Sequence, residues 1–343
     1  MQRYSISVET ITGEILGKFD ALVGNAGRVC VCVHVHPDGD AVGAGLALTL
    51  SLLELGKKAR FVLQDKVPDT TLFLEGSQLI EQYQAEESFE EVELVIFVDC
   101  ASRDRAGCMD ALTEGKLTVN LDHHMSNPHY GDYAFVEPKI SATSELLTQL
   151  LQDWNFPMNA AIASALYLGI VNDTGNFAHD NVTVNTLKAA QFLVEQGADN
   201  ALIVRNFLKT HSYASLKLLG EALSQFQFFP EKKLSYFYLT QEVMNKYGAK
   251  KEHTEGIVET LLSYEKASIS LFLREEKDGS IKGSMRSKDN IDVNRIASLF
   301  GGGGHIKAAG FSCLEKADSI LHKILGRNYV KRNKHCIFKT KKI

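Results

Sequence analysis

The sequence predicts an α/β fold: a parallel-sheet domain covered by helices, followed by a smaller α+β domain. Three observations carry this expectation. Apolar strand-like runs alternate with helical runs over residues 28–197, the pattern of a parallel sheet covered on both faces. From residue 229 the pattern changes, and strand-like runs follow one another across a turn. The chain has 343 residues, beyond the roughly 250–300 at which single cores stop growing, so two domains are expected.

Each element has its own signal. RVCVCVH (28–34) reads as a buried strand, and DAVGAGLALTLSLLELGKK (40–58) as a helix with Asp40 near its start. ARFVLQ, ELVIFVD (93–99) and KLTVNLD (116–122) are further strands. SELLTQLLQDWN, AAIASALYLGIV and TVNTLKAAQFLVEQGA read as helices, and the first domain is expected over 1–197. A helical linker, 198–228, contains YASLKLLGEALSQF. The second domain, 229–326, starts around KLSYFYLT. In it ASISLFLRE and SIKGSMRS flank Asp278-Gly279, a hairpin signal. A helix, VNRIASLF, then runs into GGGGHIKAAGF. Residues 327–343 hold many Lys and Arg and no acid, and read as a solvated basic tail.

Composition narrows the function. A net charge of −5 argues against a binder of long duplex nucleic acid, which needs a basic surface. The six cysteines (Cys30, Cys32, Cys100, Cys108, Cys313, Cys336) form no CxxC pair. They read as free thiols in a reducing compartment rather than a zinc site. The first residues, MQRYSISVETITGEILGKFD, are polar and amphipathic, unlike a signal peptide. No run approaches the about 20 apolar residues of a membrane span. A cytoplasmic protein without a membrane partner is expected.

Three strands end in metal-type side chains. The first delivers His34, then Asp38 and Asp40; the next delivers Asp99; another delivers Asp122, His123 and His124. Asp173, in VNDTGNF, follows an apolar run and precedes a glycine turn. Ligands of open parallel sheets bind at the carboxyl ends of strands, so these residues should converge. Singly, each has a plain reading: an Asp at a strand end is ordinarily a cap or turn residue. Together, the carboxylates and imidazoles would repel or change protonation state without a cation. Mixed oxygen and imidazole ligands without thiolate suit Mn²⁺ better than structural zinc, and two such ions can clamp a phosphate.

With these motifs, from HVHPDGDAVGAG through FVDCASRDR, NLDHHMSNP and VNDTGNF to GSMRSK and GGGGHIKAAGF, the chain resembles the DHH phosphoesterase superfamily. Within it, the similarity is to stand-alone bacterial oligoribonucleases that also dephosphorylate phosphoadenosine phosphate. The resemblance implies a DHH domain and a C-terminal DHH-associated domain, with the active site in a cleft between them. It implies two Mn²⁺ ions, whose ligands would also suit Mg²⁺ or Co²⁺. His34, Asp38 and Asp99 would hold one, and Asp40, Asp99, His123 and Asp173 the other, with Asp99 bridging. His124 would face the scissile phosphate as a catalytic residue. His36 and Arg105 are expected at most in supporting roles.

Specificity is expected from the second domain. Glycine runs let backbone approach a ligand and aim N–H groups at oxyanions. Gly303, Gly304 and His305, with the guanidinium fork of Arg286, would hold one end of a short nucleotide. The expected activity is 3′-to-5′ hydrolysis of short oligoribonucleotides to 5′-mononucleotides, and of 3′-phosphoadenosine 5′-phosphate to AMP. The alternative is a cyclic or linear di-adenosine nucleotide phosphodiesterase. A family II inorganic pyrophosphatase ranks lower, because MRSK is a sparse basic set for pyrophosphate. The sequence is equally compatible with a monomer and a homodimer.

Overall fold

Strand β1 (Arg28–Cys32) shows why the first sheet is covered on both faces. Its valines Val29 and Val31 enter one apolar cluster, while Cys30 and Cys32 enter another on the opposite side. Alternate residues of a strand face opposite ways, so two cores on one strand require two covering layers. The computed structural model describes residues 13–85, 88–288 and 291–326. It divides into two compact units, Met1–Thr210 and His211–Ile343.

The first unit holds a parallel six-stranded sheet. After helix α1 (Gly13–Asn25) and β1 come α2 (Gly39–Glu54), β2 (Lys58–Leu63), β3 (Ile80–Gln82), β4 (Leu94–Val98), the short α3 (Arg103–Ala106), β5 (Leu117–Asp122) and β6 (Tyr133–Val136). Helices α4 (Thr143–Asp153), α5 (Ala160–Asp173), α6 (Val184–Glu195) and α7 (Asn200–Ile203) follow. Strand order is β3-β2-β1-β4-β5-β6. The order reverses between β1 and β4, and a crevice opens at the carboxyl ends of strands at such a point.

Several element ends differ from the sequence reading. β1 stops at Cys32, two residues before His34, and α2 begins at Gly39 because Asp38 is its N-cap. Asp38 accepts hydrogen bonds from the backbone N–H of Asp40 (3.0 Å) and Ala41 (3.1 Å), so the capping carboxylate is Asp38 and not Asp40. α2 ends at Glu54 because Gly56 takes φ 76°, a left-handed turn that terminates helices. Strands β3 and β6 are short, and their alternation was too brief to read.

The second unit carries a mixed six-stranded sheet. Its elements are α8 (Tyr213–Gln225), β7 (Gln227–Phe229), β8 (Leu234–Leu239), α9 (Gln241–Lys246), α10 (Ile257–Leu262), β9 (Ile269–Glu275), β10 (Ile281–Ser287), α11 (Val293–Ala297), β11 (Gly303–Gly304), β12 (Ala308–Cys313) and α12 (Ala317–Leu325). The order is β11-β12-β10-β9-β8-β7, and β8 and β9 run parallel while the other neighbours are antiparallel. The segment read as a linker is shared between the units, α7 with the first and α8 with the second. The basic tail and Cys336 lie outside the described residues. Among those residues no helix is long and apolar enough to cross a membrane.

Candidate metal centre

The carboxyl ends of β1, β4 and β5 bring the acidic and imidazole side chains together. His34 follows β1 and is buried. Its Nδ1 lies 2.8 Å from the carbonyl oxygen of Val35. A carbonyl only accepts, so Nδ1 carries the proton and Nε2 is left with a lone pair. That Nε2 lies 3.6 Å from Asp99 Oδ2 and 3.9 Å from Asp38 Oδ1.

Asp99, immediately after β4, is 2 % exposed and takes φ 53°. A left-handed Asp is uncommon, and such strain clusters at functional sites. The turn is fixed from several sides. Asp99 N–H donates to Leu121 O (2.9 Å), and Cys100 O accepts from Asn120 Nδ2 (3.1 Å) and the Tyr130 hydroxyl (2.9 Å). The result is a divided carboxylate. Oδ2 faces His34, whereas Oδ1 lies 3.7 Å from His123 Nε2.

The second half of the site is built by α2, α4, α5 and β5. Asp40, in the first turn of α2, is fully buried. Its oxygens accept from the backbone N–H groups of Thr143 (2.6 Å) and Ser144 (2.9 Å) at the start of α4, where the helix dipole favours negative charge. Asp173 is the last residue of α5, and its Oδ2 lies 3.1 Å from His123 Nε2. His124 turns its Nδ1 to Asp122 Oδ1 at 2.8 Å.

Among the described residues three groups emerge whose donor atoms lie within 4.8 Å of one another: His34, Asp38 and Asp99; Asp40, His123 and Asp173; and Asp99, His123 and His124. All six side chains expected as ligands therefore meet, with Asp99 facing both halves. The charge demands a counter-ion. Burial, and then the neighbouring Asp173, push the Asp40 carboxyl up to about 7. Burial and the Asp40, Asp38 and Asp173 charges raise Asp99 well above the usual range. Burial works to lower His123, but its hydrogen bond to Asp173 and the Asp40 and Asp99 charges outweigh that and raise it to about 10. Carboxylates that hold protons and an imidazole that will not lose one are what a cation would replace. The all-oxygen-and-nitrogen donor set fits divalent ions of the Mn²⁺ or Mg²⁺ type.

Supporting residues were missed in the sequence. Thr143 Oγ1 donates to Asp99 Oδ1 at 2.9 Å, and Asn127 Nδ2 donates to Asp122 Oδ2 at 2.6 Å. Thr143 looked like an ordinary helix start, and Asn127 like a turn residue before proline. His36 is exposed at φ 56° and paired to Asp65 through its backbone N–H at 2.7 Å. Arg105 is exposed, and its carbonyl accepts from Val35 N–H at 2.7 Å.

The substrate-type residues expected in the second unit lie on β10 and at β11, either side of β12. Arg286, on β10, is in register with Ala308 of β12, while Gly303 and Gly304 of β11 pair with Gly310 and Ala309. Gly304 has φ 148°, and a Cβ there would lie 2.5 Å from Ala308 O, so the hairpin demands glycine. His305 is exposed in the turn and exchanges backbone bonds with Ala308 (2.7 and 3.2 Å). Arg286 Nε is paired to Glu259 Oε1 at 2.9 Å.

Comparison with known proteins agrees with this architecture. A profile described as "DHH family, N-terminal domain" matches residues 28–170, and one described as "DHHA1 domain" matches residues 233–327. The chain belongs to the DHH family. A protein of Bacillus subtilis named bifunctional oligoribonuclease and PAP phosphatase NrnA is 27% identical, over 76% of this chain and 85% of that one. A Thermus thermophilus protein of the same name is 33% identical, over 57% of this chain and 58% of its own length. The crystal structure of an exopolyphosphatase-related protein from Bacteroides fragilis superimposes with a TM-score of 0.86 and 26% identity, covering 93% of this DHH chain and 96% of that one.

Proposed function

We propose that this DHH protein is a two-metal phosphoesterase of short oligoribonucleotides, releasing 5′-mononucleotides from the 3′ end, and of 3′-phosphoadenosine 5′-phosphate, releasing AMP. The observation that carries the reading is the divided Asp99 carboxylate, with one oxygen toward His34 and the other toward His123. The substrate class follows the names borne by the relatives, which favour neither a cyclic-dinucleotide phosphodiesterase nor a pyrophosphatase.

His34, Asp38 and Asp99 would hold one cation and Asp40, Asp99, His123 and Asp173 the other, with Mn²⁺ the first choice. When bound, such a pair polarises a phosphate and makes water nucleophilic at neutral pH. The remaining work falls to the chain. His124 borders the ligand group and is one-third exposed, so it can meet the charge that grows on the phosphate or protonate the leaving sugar oxygen. Arg286, Gly303, Gly304 and His305 would bind the substrate's far end. The free thiols of Cys30, Cys32, Cys100, Cys108 and Cys313 suit a reducing, cytoplasmic setting.

The test is a Mn²⁺-supplemented assay on pApA, cyclic di-adenosine nucleotide, phosphoadenosine phosphate and pyrophosphate, run separately. AMP from pApA and from phosphoadenosine phosphate is the expected outcome. Phosphate from pyrophosphate alone, or cleavage of the cyclic substrate alone, would overturn it.

A further inference from the structure

His124 has two readings on geometry alone. Its ring lies in a group with Asp99 and His123 that can hold a metal ion, so it can be a ligand; or it can face substrate. The hydrogen bonds around Asp122 separate the two. His124 Nδ1 is 2.8 Å from Asp122 Oδ1 and 3.7 Å from Asp99 Oδ1. Asp122 is fully buried, so its oxygens depend on protein partners. Imidazole is ordinarily the stronger base of the two, so the hydrogen that bridges them sits on Nδ1. A nitrogen bearing that hydrogen has no lone pair for a metal.

Asp122 cannot turn away. Its Oδ2 accepts from Asn127 Nδ2 at 2.6 Å. The same Asn127 amide donates to Asn120 Oδ1 at 2.7 Å, and its Oδ1 accepts from His129 N–H at 2.8 Å. Asn120 in turn donates to Cys100 O, beside Asp99. Every polar atom of the buried Asn127 amide is thereby used, and Asp122 is anchored to the turn that carries Asp99.

We propose that Asp122 is a positioning residue that holds His124 by Nδ1–H, keeps that nitrogen from serving as a metal ligand, and leaves Nε2 for the substrate. The proposal rests on the phosphoesterase reading for its catalytic consequence, but not for the ring's tautomer. Asp122→Asn sharpens it. The Asn127 N–H already faces position 122, so a new amide must turn its oxygen there and its NH₂ toward His124, which forces the opposite tautomer. A side chain of equal size would then fail.

The experiment has two arms on the full chain. In the first, ¹⁵N-histidine spectra of the Mg²⁺-loaded protein at pH 8 read the His124 ring directly. The expected result is a protonated Nδ1 in the parent and a bare Nδ1 in Asp122→Asn. In the second, kcat and KM on pApA and Mn²⁺ titration calorimetry are compared for Asp122→Asn, Asp122→Ala, His124→Ala and Asp122→Ala/His124→Ala. Loss of kcat of about 10- to 100-fold is expected for each single variant, with KM and the number of Mn²⁺ sites unchanged. The double variant should be no worse than His124→Ala, because Asp122 acts through that ring. A bare Nδ1 in the parent, additive losses, or loss of one Mn²⁺ site in His124→Ala would overturn the proposal. A parent that cleaves neither pApA nor phosphoadenosine phosphate would overturn the function instead, while the spectra still decide the tautomer.

Discussion

Thr143 holds two of the candidate ligands at once: its hydroxyl donates to Asp99 Oδ1 at 2.9 Å and its backbone N–H to Asp40 Oδ2 at 2.6 Å. One residue at the start of α4 thus fixes carboxylates contributed by α2 and by the end of β4. Thr143→Val keeps the shape and the N–H but deletes the hydroxyl. Removing an outer partner of a metal ligand costs about 10- to 100-fold in affinity. Mn²⁺ calorimetry should show that loss for Thr143→Val and near-parental affinity for Thr143→Ser. Equal affinity in all three proteins would mean that the hydroxyl does not orient Asp99.

Gly169 makes the approach of α5 to the site feasible. A Cβ there would lie 2.0 Å from Ser144 Oγ and 2.4 Å from Asp40 Oδ1. Neither neighbour can yield freely, because both are fully buried and Asp40 is held by two backbone N–H groups. Gly169→Ala should therefore destabilise the metal-free chain by about 1–3 kcal/mol, the usual cost of overpacking, and also weaken Mn²⁺ binding. Denaturant unfolding and calorimetry on the same preparation check both. A variant as stable as the parent would show that α5 can slide.

Metal binding should depend steeply on pH, with a definite sign. A cation takes carboxylates and neutral imidazoles, so protons compete with it. Without a cation the Asp40 carboxyl titrates at about 7 and His123 at about 10. At pH 8 Asp40 is mostly ionised while His123 keeps its proton. At pH 6 both are protonated. Mn²⁺ affinity should fall from pH 8 to pH 6, and more protons should be released per chain at pH 6. Calorimetry in buffers of unlike ionisation heat measures the release; an affinity flat over this range would contradict the arrangement.

The strand-end residues were legible because topology does the work: parallel strands deliver the residues just beyond their carboxyl ends to one rim. β1 with His34, β4 with Asp99 and β5 with His123 needed only their apolar runs to be seen. Asp38 and Asp40 were harder to tell apart. Both lie at a helix start, and only the backbone shows that Asp38 caps while Asp40 is buried against α4. Thr143, Asn127 and Gly169 were not legible. Each acts through a partner distant in sequence, and a threonine, an asparagine and a glycine have ordinary local duties where they occur. The sheet order of the second unit was equally hidden, since the parallel β8–β9 pair joins strands separated by two helices.

Arg286 offers a test of how the second unit takes part. Its Nε is paired to Glu259 Oε1 at 2.9 Å, and its Nη1 donates to Met285 O at 3.0 Å. Both members of the ion pair are one-third or more exposed, so the pair itself contributes little stability. What Glu259 does is occupy the fork that a phosphate would need. A substrate phosphate must therefore displace a carboxylate, or share the guanidinium with it. Arg286→Ala should raise KM for pApA about 10-fold or more with kcat largely kept, because uniform binding is lost. Glu259→Gln should lower KM, because the competing charge is gone. If both substitutions raise KM alike, Glu259 orients the arginine instead of competing for it, and if neither moves KM, Arg286 is an ordinary exposed strand residue.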